Sequence, residues 1–323
     1  MNTISVRNFD KETDLVSIKS FLQSRKEAHH LPYINSAEWF KWKFLDSPNG
    51  ESIMPTVFND KQIIGANYYG IYPLVKSENT IRAILPYEAF VHQSGQGKGL
   101  FKKLIALAEE TAQNDKIQIM MSFPNQKSIK GFISSGWSYI QNSVTYWLKP
   151  IIKFRVVINI LDIKKSFEAN KPIGKNNFQF DKIKNNLYED QIHGLWTKEY
   201  LNWRFNILPQ AEYVHLKQDL IEIVARIGKR GKLKEAQIIY VDFKIAKFDK
   251  KDFNKLIKQL VKQTKSDLIS FPISTDFPIY HNMKSCGFYK LPSGAQFCYK
   301  VLDENLKSED LKFSLCGLDF HTY

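Results

Sequence analysis

The spacing of apolar residues predicts a strand-rich region followed by a long amphipathic helix near the start of the chain. Stretches rich in Ile, Val and Tyr predict strands at residues 4–9, 53–58, 62–70 and 81–91, and helices are predicted over 14–23 and 37–45. After the fourth strand, apolar residues recur at helical intervals over 100–113 and form one buried face, at Leu100, Phe101, Leu104, Ile105, Ala108 and Ala112.

The pattern then predicts a buried strand (IQIMMSFP), a short helix over 128–135 and a closing strand (WSYIQNSVTYWL). Gly136 stands where the short helix would end. This order of elements predicts an α+β fold, in which a mostly antiparallel mixed sheet is flanked by helices in three layers.

Several sequence elements occur twice in the same order. EWFKWKFLDSP from Glu38 matches EYLNWRFNILP from Glu199, and FKKLI from Phe101 matches FNKLI from Phe253. SFPN recurs as SFPI, and ISSGW recurs as KSCGF. We therefore predict a tandem duplication, with one domain at residues 1–150 and a second at 151–323, each with its own sheet. A strand-like run, FRVVINIL, and a polar stretch rich in Lys and Asn lead into the second copy.

Composition places the chain among globular proteins with packed cores. Hydrophobic residues make up 43% of its 323 residues, and no apolar run approaches the ~18–20 residues of a membrane span. The three cysteines lack the spacing of a zinc site, which indicates a reducing compartment and no metal centre. We expect a cytoplasmic protein.

The net charge of +13 comes from lysines that are interspersed with acidic residues. This pattern is typical of a solvated basic surface, and no DNA partner is expected. The alternative is a preference for an anionic partner, such as a nucleotide, a phosphorylated cofactor, an acidic sugar or RNA.

Residues 92–100 (HQSGQGKGL) place three glycines between the fourth strand and the long helix. Glycine can adopt positive φ and approach a ligand closely, and the first turn of a helix offers N–H groups at its positive dipole end. Together these features predict a cradle for phosphate or pyrophosphate, with charge added by Lys98 and Lys102. A Walker loop is excluded because the required Lys-Ser/Thr is missing, and a dinucleotide fold is disfavoured by the position after the fourth strand. The alternative is a helix-entry loop that binds no ligand.

The loop resembles the motif Arg/Gln-x-x-Gly-x-Gly/Ala of the GNAT acyltransferase superfamily. The match is SGQGKG at residues 94–99, and the resemblance is close over roughly residues 80–140. It implies acetyl-CoA or another acyl-CoA as cofactor. The cofactor-binding residues that it implies are Phe90, Val91 and His92 beside the pantetheine, Gly95, Gln96, Gly97, Lys98, Gly99 and Leu100 around the pyrophosphate, and Asn125 near the reactive arm.

Two positions depart from the family pattern. The first residue of the motif is Ser94, with Gln93 one residue early, which weakens or shifts one phosphate contact. The family often has a Tyr as general acid four residues before the closing glycine, and this position is Phe132 here.

The second half resembles the same fold without the loop. No glycine separates strand and helix there, Asp249 and Asp252 would repel a pyrophosphate, and Ile273 replaces the Asn of FPN. We interpret it as a degenerate copy that walls an acceptor cleft or stabilises the first half. Because both copies keep the tryptophan of the first motif, Trp42 and Trp203 are predicted to be core residues.

Glu88 and His92 are the catalytic candidates. Acylation of an amine by a thioester needs a base for the amine and an acid for the leaving thiolate. The family often places a base at the position of Glu88, which is otherwise a structural carboxylate facing Arg or Lys. An imidazole at His92 suits base chemistry, or is a surface residue. The acid candidates are Tyr87, Tyr139 and Tyr146.

The resemblance implies an acyl-CoA-dependent N-acyltransferase, most simply an acetyltransferase, that acts on a small-molecule amine such as an amino sugar or nucleotide-linked amino sugar. A Fem-type transferase that uses aminoacyl-tRNA is an alternative, although such enzymes generally have a coiled-coil arm that this sequence lacks. A non-catalytic protein that binds acyl-CoA is a third reading, which Ser94 and Phe132 favour and the three retained glycines disfavour.

Overall fold

The computed structural model describes residues 4–29, 36–181, 191–218, 220–244, 248–308 and 311–320. The strands of the first half are β1 (Ile4–Asn8), β2 (Pro55–Asn59), β3 (Gln62–Ile71), β4 (Leu74–Lys76), β5 (Asn79–Ile81), β6 (Ala83–Val91), β7 (Ile119–Ser122) and β8 (Ser138–Pro150). Its α-helices are α1 (Ile18–His29), α2 (Ala37–Phe44), α3 (Leu100–Asn114) and α4 (Ile129–Ser134).

The second half continues with shorter helices and a similar run of strands. The strands are β9 (Phe167–Ala169), β10 (His193–Gly194), β11 (Tyr213–Lys217), β12 (Ile221–Arg230), β13 (Leu233–Phe243), β14 (Leu268–Ser274) and β15 (Tyr289–Val301). The α-helices are α5 (Lys153–Ile158), α6 (Lys198–Asn202), α7 (Lys250–Thr264) and α8 (Gly317–Phe320). Short 3-10 helices lie at Leu15–Ser17, Gln93–Gly95, Ile160–Lys164 and Tyr280–Asn282, and a π-helical turn at Trp203–Ile207 follows α6.

Eleven strands form a continuous path in one sheet, in the order β1-β2-β3-β6-β7-β15-β8-β14-β13-β12-β11, and β9 joins at β12. Two pairs are parallel, β6 with β7 and β13 with β14, and the other pairs are antiparallel. The predicted class, a mostly antiparallel mixed sheet flanked by helices, is confirmed.

The last long strand of each half pairs with the other half. β8 lies between β15 and β14, and β15 lies between β7 and β8. The structure therefore has one continuous sheet where the sequence suggested one sheet in each half. Because β8 and β15 are each 13 residues long and pair with one another, they join the two sets of strands. The boundary near residue 150 stays a prediction.

Helices cover both faces of the sheet. Tyr68 and Tyr69 are neighbours in β3 but lie in different apolar clusters. Tyr68 stacks on Phe21 of α1 with ring centroids 5.3 Å apart, whereas Tyr69 lies in one cluster with Ile105 of α3. The layers are thus α1 with α2, the sheet, and α3. Among the described residues, no helix combines the length and apolar character needed to cross a bilayer.

The FRVVINIL run is a short helix and a 3-10 turn, so its predicted strand character was wrong. A strand needs a free sheet edge beside it, and both edges of β8 are already occupied by β14 and β15. The chain therefore leaves the sheet after Pro150 and forms α5 on the surface.

The two matching tryptophans pack against each other. Trp42 and Trp203 stack with ring centroids 4.9 Å apart and an interplanar angle of 23°, and both are buried. The indole N–H of Trp42 donates to the carbonyl of Trp203 at 3.1 Å, and the indole N–H of Trp203 donates to the carbonyl of Trp42 at 3.0 Å. The contact is reciprocal, as a local two-fold axis between the repeated elements would make it.

Candidate functional site

Strands β6 and β7 diverge and leave an opening in the sheet. They pair in parallel at Ala83 and Ile84, and in the described residues no pairing with β7 continues beyond that point of β6. The register between β3 and β6 also shifts, because Tyr68 faces Glu88 while Tyr69 faces Pro86. Tyr87 is the extra residue of this bulge, which re-aims the neighbouring side chains. We call the opening between residues 85–91 and β7 the cleft.

A cradle of N–H groups follows β6 at the start of α3. Gly97 and Gly99 have φ values of +75° and +68°, and a Cβ added to either would meet no atom within 4 Å. Helix α3 begins at Gly99 without a side-chain cap. Within the part of the chain that the structure describes, the N–H groups of residues 97–102 donate no hydrogen bond to a protein acceptor. Exposed donors at the positive end of a helix form an anion-binding site.

The remaining residues of the loop build the cradle rather than line it. Gly95 is buried, and a Cβ there would come within 3.0 Å of Val91 Cγ1 and 3.1 Å of Leu100 Cδ1. The N–H of Gly95 already donates to His92 O, and the N–H of Gln96 donates to Gln93 O. The cradle therefore starts at Gly97, two residues later than the first glycine of the motif.

Side chains near the cradle are basic or polar. Lys98 and Lys102 are exposed, and so is Asn125 beyond the end of β7. The side-chain oxygen of Asn125 accepts from the N–H groups of Lys127 and Ser128 at 2.9 and 3.0 Å, and thereby starts α4. Phe132 is buried against Phe101 and so does not reach the cleft.

His92 is held on the rim between β6 and the cradle. Its Nε2 lies 2.8 Å from Glu27 Oε2, and its Nδ1 accepts from the N–H of Ser94 at 3.3 Å. The hydroxyl of Ser94 lies 2.9 Å from the same Nδ1. This arrangement favours the tautomer with the proton on Nε2. Both ring nitrogens of His92 therefore have hydrogen-bond partners in this geometry.

Glu88 is a buried carboxylate between two cations. Its Oε2 accepts from Arg25 Nε at 2.6 Å and lies 3.6 Å from Lys43 Nζ, and all three side chains are at most 7% exposed. The guanidinium of Arg25 and the ammonium of Lys43 both lie over the ring of Trp39. Burial lowers the pKa of Lys43 to about 7, although Glu88 opposes the shift.

A small cavity adjoins this ion pair at the bulge of β6. It has a volume of about 10 Å³, which is room for about one water molecule, and its walls come from both halves. The lining residues are Trp42, Lys43, Tyr87, Tyr200, Trp203, Arg204 and Leu318. The hydroxyl of Tyr87 is buried beside the phenol of Tyr200 and the guanidinium of Arg204. Burial raises the pKa of Tyr87 to about 12, so its phenol keeps its proton at neutral pH.

The other two tyrosine candidates lie farther along the chain. Tyr139 is 38% exposed, and its hydroxyl donates to Gln296. Tyr146 is half-buried in β8 and contacts the ring of Phe320. Of the three candidates, Tyr87 is the one that the structure places at the bulge.

This arrangement of strands and helices has counterparts among solved structures. The chain matches a GCN5-related N-acetyltransferase from Anabaena variabilis with a TM-score of 0.59 and 10% identity, over 93% of this chain and 73% of that chain. One from Kribbella flavida matches with a TM-score of 0.58 and 10% identity, over 94% and 72%. Eis1 from Mycobacterium abscessus matches with a TM-score of 0.56 and 10% identity, over 93% and 74%.

The chain has the GNAT fold. No protein-family model matches the sequence, and no curated protein matches it either. At about 10% identity, the likeness establishes the fold alone.

The second half of this GNAT fold has its own opening, between β13 and β14, and the chain itself fills it. Pairing of β13 with β14 ends at Gln237 and Ser270. The segment around Cys316 then bridges Ile273, and the Cys316 thiol donates to the carbonyl of Ile239 at 3.2 Å. A Cβ added to Gly317 would come within 2.8 Å of Ile239 Cα, so glycine is needed for this close approach.

Helix α7 of the second half also lacks a cradle of the GNAT type. The carboxylate of Asp249 accepts from the N–H groups of Lys251 and Asp252 at 2.7 and 3.0 Å. A side chain thus occupies the donors that the first half leaves exposed at α3. Residues 245–247 of the connecting loop lie outside the described part of the chain.

Arg25, Lys43 and Arg204, which surround Glu88 and the small cavity in this GNAT fold, were not among the residues predicted from the sequence. A signal existed for two of them, because Lys43 and Arg204 each follow the tryptophan of the repeated motif, in EWFKWKF and EYLNWRF. No local pattern distinguishes Arg25 from the other basic residues of α1.

Proposed function

We propose that this protein is an acyl-CoA-dependent N-acyltransferase that acts on a primary amine of a small molecule. The observation that carries the proposal is the cradle of N–H groups at residues 97–102, which stands beside the cleft. The cradle suits a pyrophosphate, and an extended amide-containing arm fits an opening beside a strand. When bound, acyl-CoA would supply an activated acyl thioester, with acetyl-CoA as the simplest case.

We assign the cofactor site to residues 1–150 and no second site to residues 151–323. The filled opening between β13 and β14 and the capped start of α7 support this assignment. The repeated motifs, the mirrored strand order and the reciprocal tryptophan pair support descent from a tandem duplication. In this proposal the second half contributes a wall of the acceptor site through Tyr200 and Arg204.

For Glu88 we propose the role of a counter-charge rather than that of a general base. Its carboxylate is engaged by Arg25 and Lys43, and accepting a proton would remove the charge that balances both. For His92 we propose a positioning role at the rim, since Glu27 and Ser94 hold both ring nitrogens. Tyr87 is the proposed proton donor, because its hydroxyl is protonated at neutral pH and lies at the bulge beside the cleft, next to Tyr200.

The acceptor is proposed to be a small amine that also carries an anionic group. Lys43 and Arg204 line the cavity at the bulge, and a carboxylate or phosphate on the acceptor would suit these cations. The cavity has room for about one water molecule, so entry of such a group requires its walls to move.

Calorimetric titration of acetyl-CoA and CoA tests the proposal, with Gly97→Glu and Gly136→Glu measured beside the wild type. Both glycines have positive φ, +75° and +79°, and open space where a Cβ would go, so the two variants have matched backbone strain. Only the first places a carboxylate in the cradle. We expect micromolar binding by the wild type and Gly136→Glu, and none by Gly97→Glu. A folded wild type that binds neither ligand would overturn the proposal.

A non-catalytic acyl-CoA-binding protein is the second candidate, and one observation favours it. Both sequence candidates for the base, Glu88 and His92, are engaged by neighbouring side chains. An enzyme and a non-catalytic binding protein would both bind acyl-CoA, so calorimetry cannot separate them. It is followed by a turnover screen with anionic amines, in which the release of free CoA is detected. Binding that is abolished by Gly97→Glu, without turnover of any acceptor, would favour this second candidate.

A further inference from the structure

Large apolar side chains are exposed together on the segment that links the two halves. Their exposed fractions are 67% for Phe154, 69% for Val157, 75% for Ile158, 55% for Ile160 and 74% for Leu161. We call these five residues the link patch. Phe154, Val157 and Ile158 follow the helical spacing i, i+3 and i+4 on α5, and Ile160 and Leu161 follow in the adjoining 3-10 turn, so all five face solvent on one short segment. An apolar stripe that faces outward marks an interaction surface.

The link patch is held firmly on the protein. Val156, in the middle of α5, is buried in a cluster with Leu148, Leu233 and Leu268. Arg155 forms an ion pair with the buried carboxylate of Asp267 at 3.0 Å. The outward direction of the patch is therefore fixed by contacts on its inner side.

Basic residues surround the link patch. Residues 149–165 contain five basic residues and one acidic residue, Asp162, and the ion pair of Arg155 with Asp267 leaves a net charge of +3 for this set. Asp162 pairs with Lys165 at 2.8 Å and accepts from the N–H of Lys232, so its charge is already compensated. Lys153 and Lys164 are exposed and form no ion pair within the described ranges. The surface thus combines apolar side chains with a positive rim.

The charge and the shape of the surface select among possible partners. A second copy docked face to face would bring two positive rims together, which is unfavourable. A groove of about 550 Å³ runs beside the patch and is lined by Val157 and Ile160 among others, but not by Phe154, Ile158 or Leu161. A peptide in that groove would leave Phe154, Ile158 and Leu161 in water.

We propose that the link patch docks this protein on the surface of an anionic lipid bilayer. Side chains such as Phe154, Ile158 and Leu161 would enter the boundary between headgroups and acyl chains, while Lys153 and Lys164 contact anionic headgroups. Peripheral helices combine an apolar face with Lys and Arg in this way, and each basic residue near an anionic surface strengthens binding about fivefold. The docking does not depend on the proposed catalytic function.

Flotation of the full chain with lipid vesicles tests the proposal. The vesicles are pure phosphatidylcholine or phosphatidylcholine with 30% phosphatidylglycerol (roughly the anionic content at which basic peripheral proteins bind). We expect the wild type to bind the anionic vesicles at least tenfold more tightly than the neutral ones. Phe154→Gln/Ile158→Gln should lower binding tenfold or more, and Lys153→Gln/Lys164→Gln should lower it about 25-fold, with the effect of added salt reduced.

The matched control is Val16→Gln, because Val16 is an 81% exposed apolar residue elsewhere on the surface. It should bind like the wild type, and all variants should melt at the wild-type temperature because the changed side chains are exposed. Absence of vesicle binding at low salt, or equal binding to neutral and anionic vesicles, would overturn the proposal. So would concentration-dependent dimers in sedimentation that Phe154→Gln/Ile158→Gln abolishes, since a second copy would then cover the patch.

Discussion

Replacing Glu88 by Gln removes the carboxylate that faces two buried cations. In the wild type the Glu88 carboxylate lies 2.6 Å from Arg25 Nε and 3.6 Å from Lys43 Nζ, and the substitution removes this negative charge. Arg cannot lose its proton in a protein, so its charge stays in the desolvated site. Breaking a buried ion pair by removing one partner costs about 3–5 kcal/mol. That is a large share of the about 5–15 kcal/mol by which a folded domain is stable.

The pH dependence of this loss follows from Lys43. Its pKa in the folded state is about 7, against about 10.4 for an unfolded lysine. Unfolding therefore takes up a proton between these values, and this residue makes the wild type more stable as the pH rises through that window. Below pH 7 Lys43 is charged in the fold, so the loss in Glu88→Gln is larger at pH 6 than at pH 9, where Arg25 alone lacks the anion.

Urea unfolding followed by tryptophan fluorescence measures this loss at both pH values. The control is Glu51→Gln, because Glu51 and its partner Lys11 have side chains that are 69% and 51% exposed, and solvent screening makes such a surface pair contribute little to stability. Glu88→Gln/Lys43→Met should recover part of the stability at pH 6, since it removes one of the two cations. The reasoning is refuted if Glu88→Gln unfolds at the wild-type urea concentration yet lowers kcat/KM about a hundredfold or more, which is the signature of a general base.

Three further predictions concern other buried groups. Burial, and to a smaller extent the charge of Glu222, raises the pKa of Asp242 to about 7. The wild type therefore loses stability as the pH rises from 4 to 7, because the folded state must then hold a buried charge. In urea unfolding, Asp242→Asn should be more stable than the wild type by about 2–4 kcal/mol at pH 8 but not at pH 4. Trp42→Phe and Trp203→Phe should each cost about 2–3 kcal/mol in thermal unfolding, and the double variant should cost less than their sum, whereas additive costs would argue against the reciprocal contact. Tyr87→Phe should lower stability by at most about 1 kcal/mol, through loss of its contact with the Tyr200 phenol, while turnover of an identified acceptor falls tenfold or more; normal turnover would contradict its proposed role.

Local features of the site were predictable because short-range rules determine them. The apolar spacing predicted the helix over 100–113, and α3 spans Leu100–Asn114. Alternate glycines predicted a special backbone before it, and Gly97 and Gly99 have positive φ. The FRVVINIL run shows the limit of such rules. β-branched residues favour strands over helices, and the occupied edges of β8 override that preference here.

Long-range features could not be predicted from one sequence. The sequence suggested Arg or Lys as a structural partner for Glu88, but Arg25 comes from a helix 63 residues earlier in the chain. The repeats indicated that matching strands exist, but identical patterns cannot specify which copy supplies the neighbour of β7. The pairing of β7 with β15 depends on which strand edges meet when both halves are present. This pairing gives one continuous sheet where two separate sheets were expected.

The exchange of β8 and β15 also sets the order in which the nascent chain can complete its structure. When the ribosome has made residues 1–150, β7 still lacks the strand that will cover its outer edge, because β15 belongs to residues 289–301. Strand β8 is then present but has neither of its two neighbours. Exposed strand edges of this kind invite pairing with other chains. The first half therefore has to remain protected or incomplete during synthesis of the second, even though its proposed cofactor site lies wholly within the part that is made first.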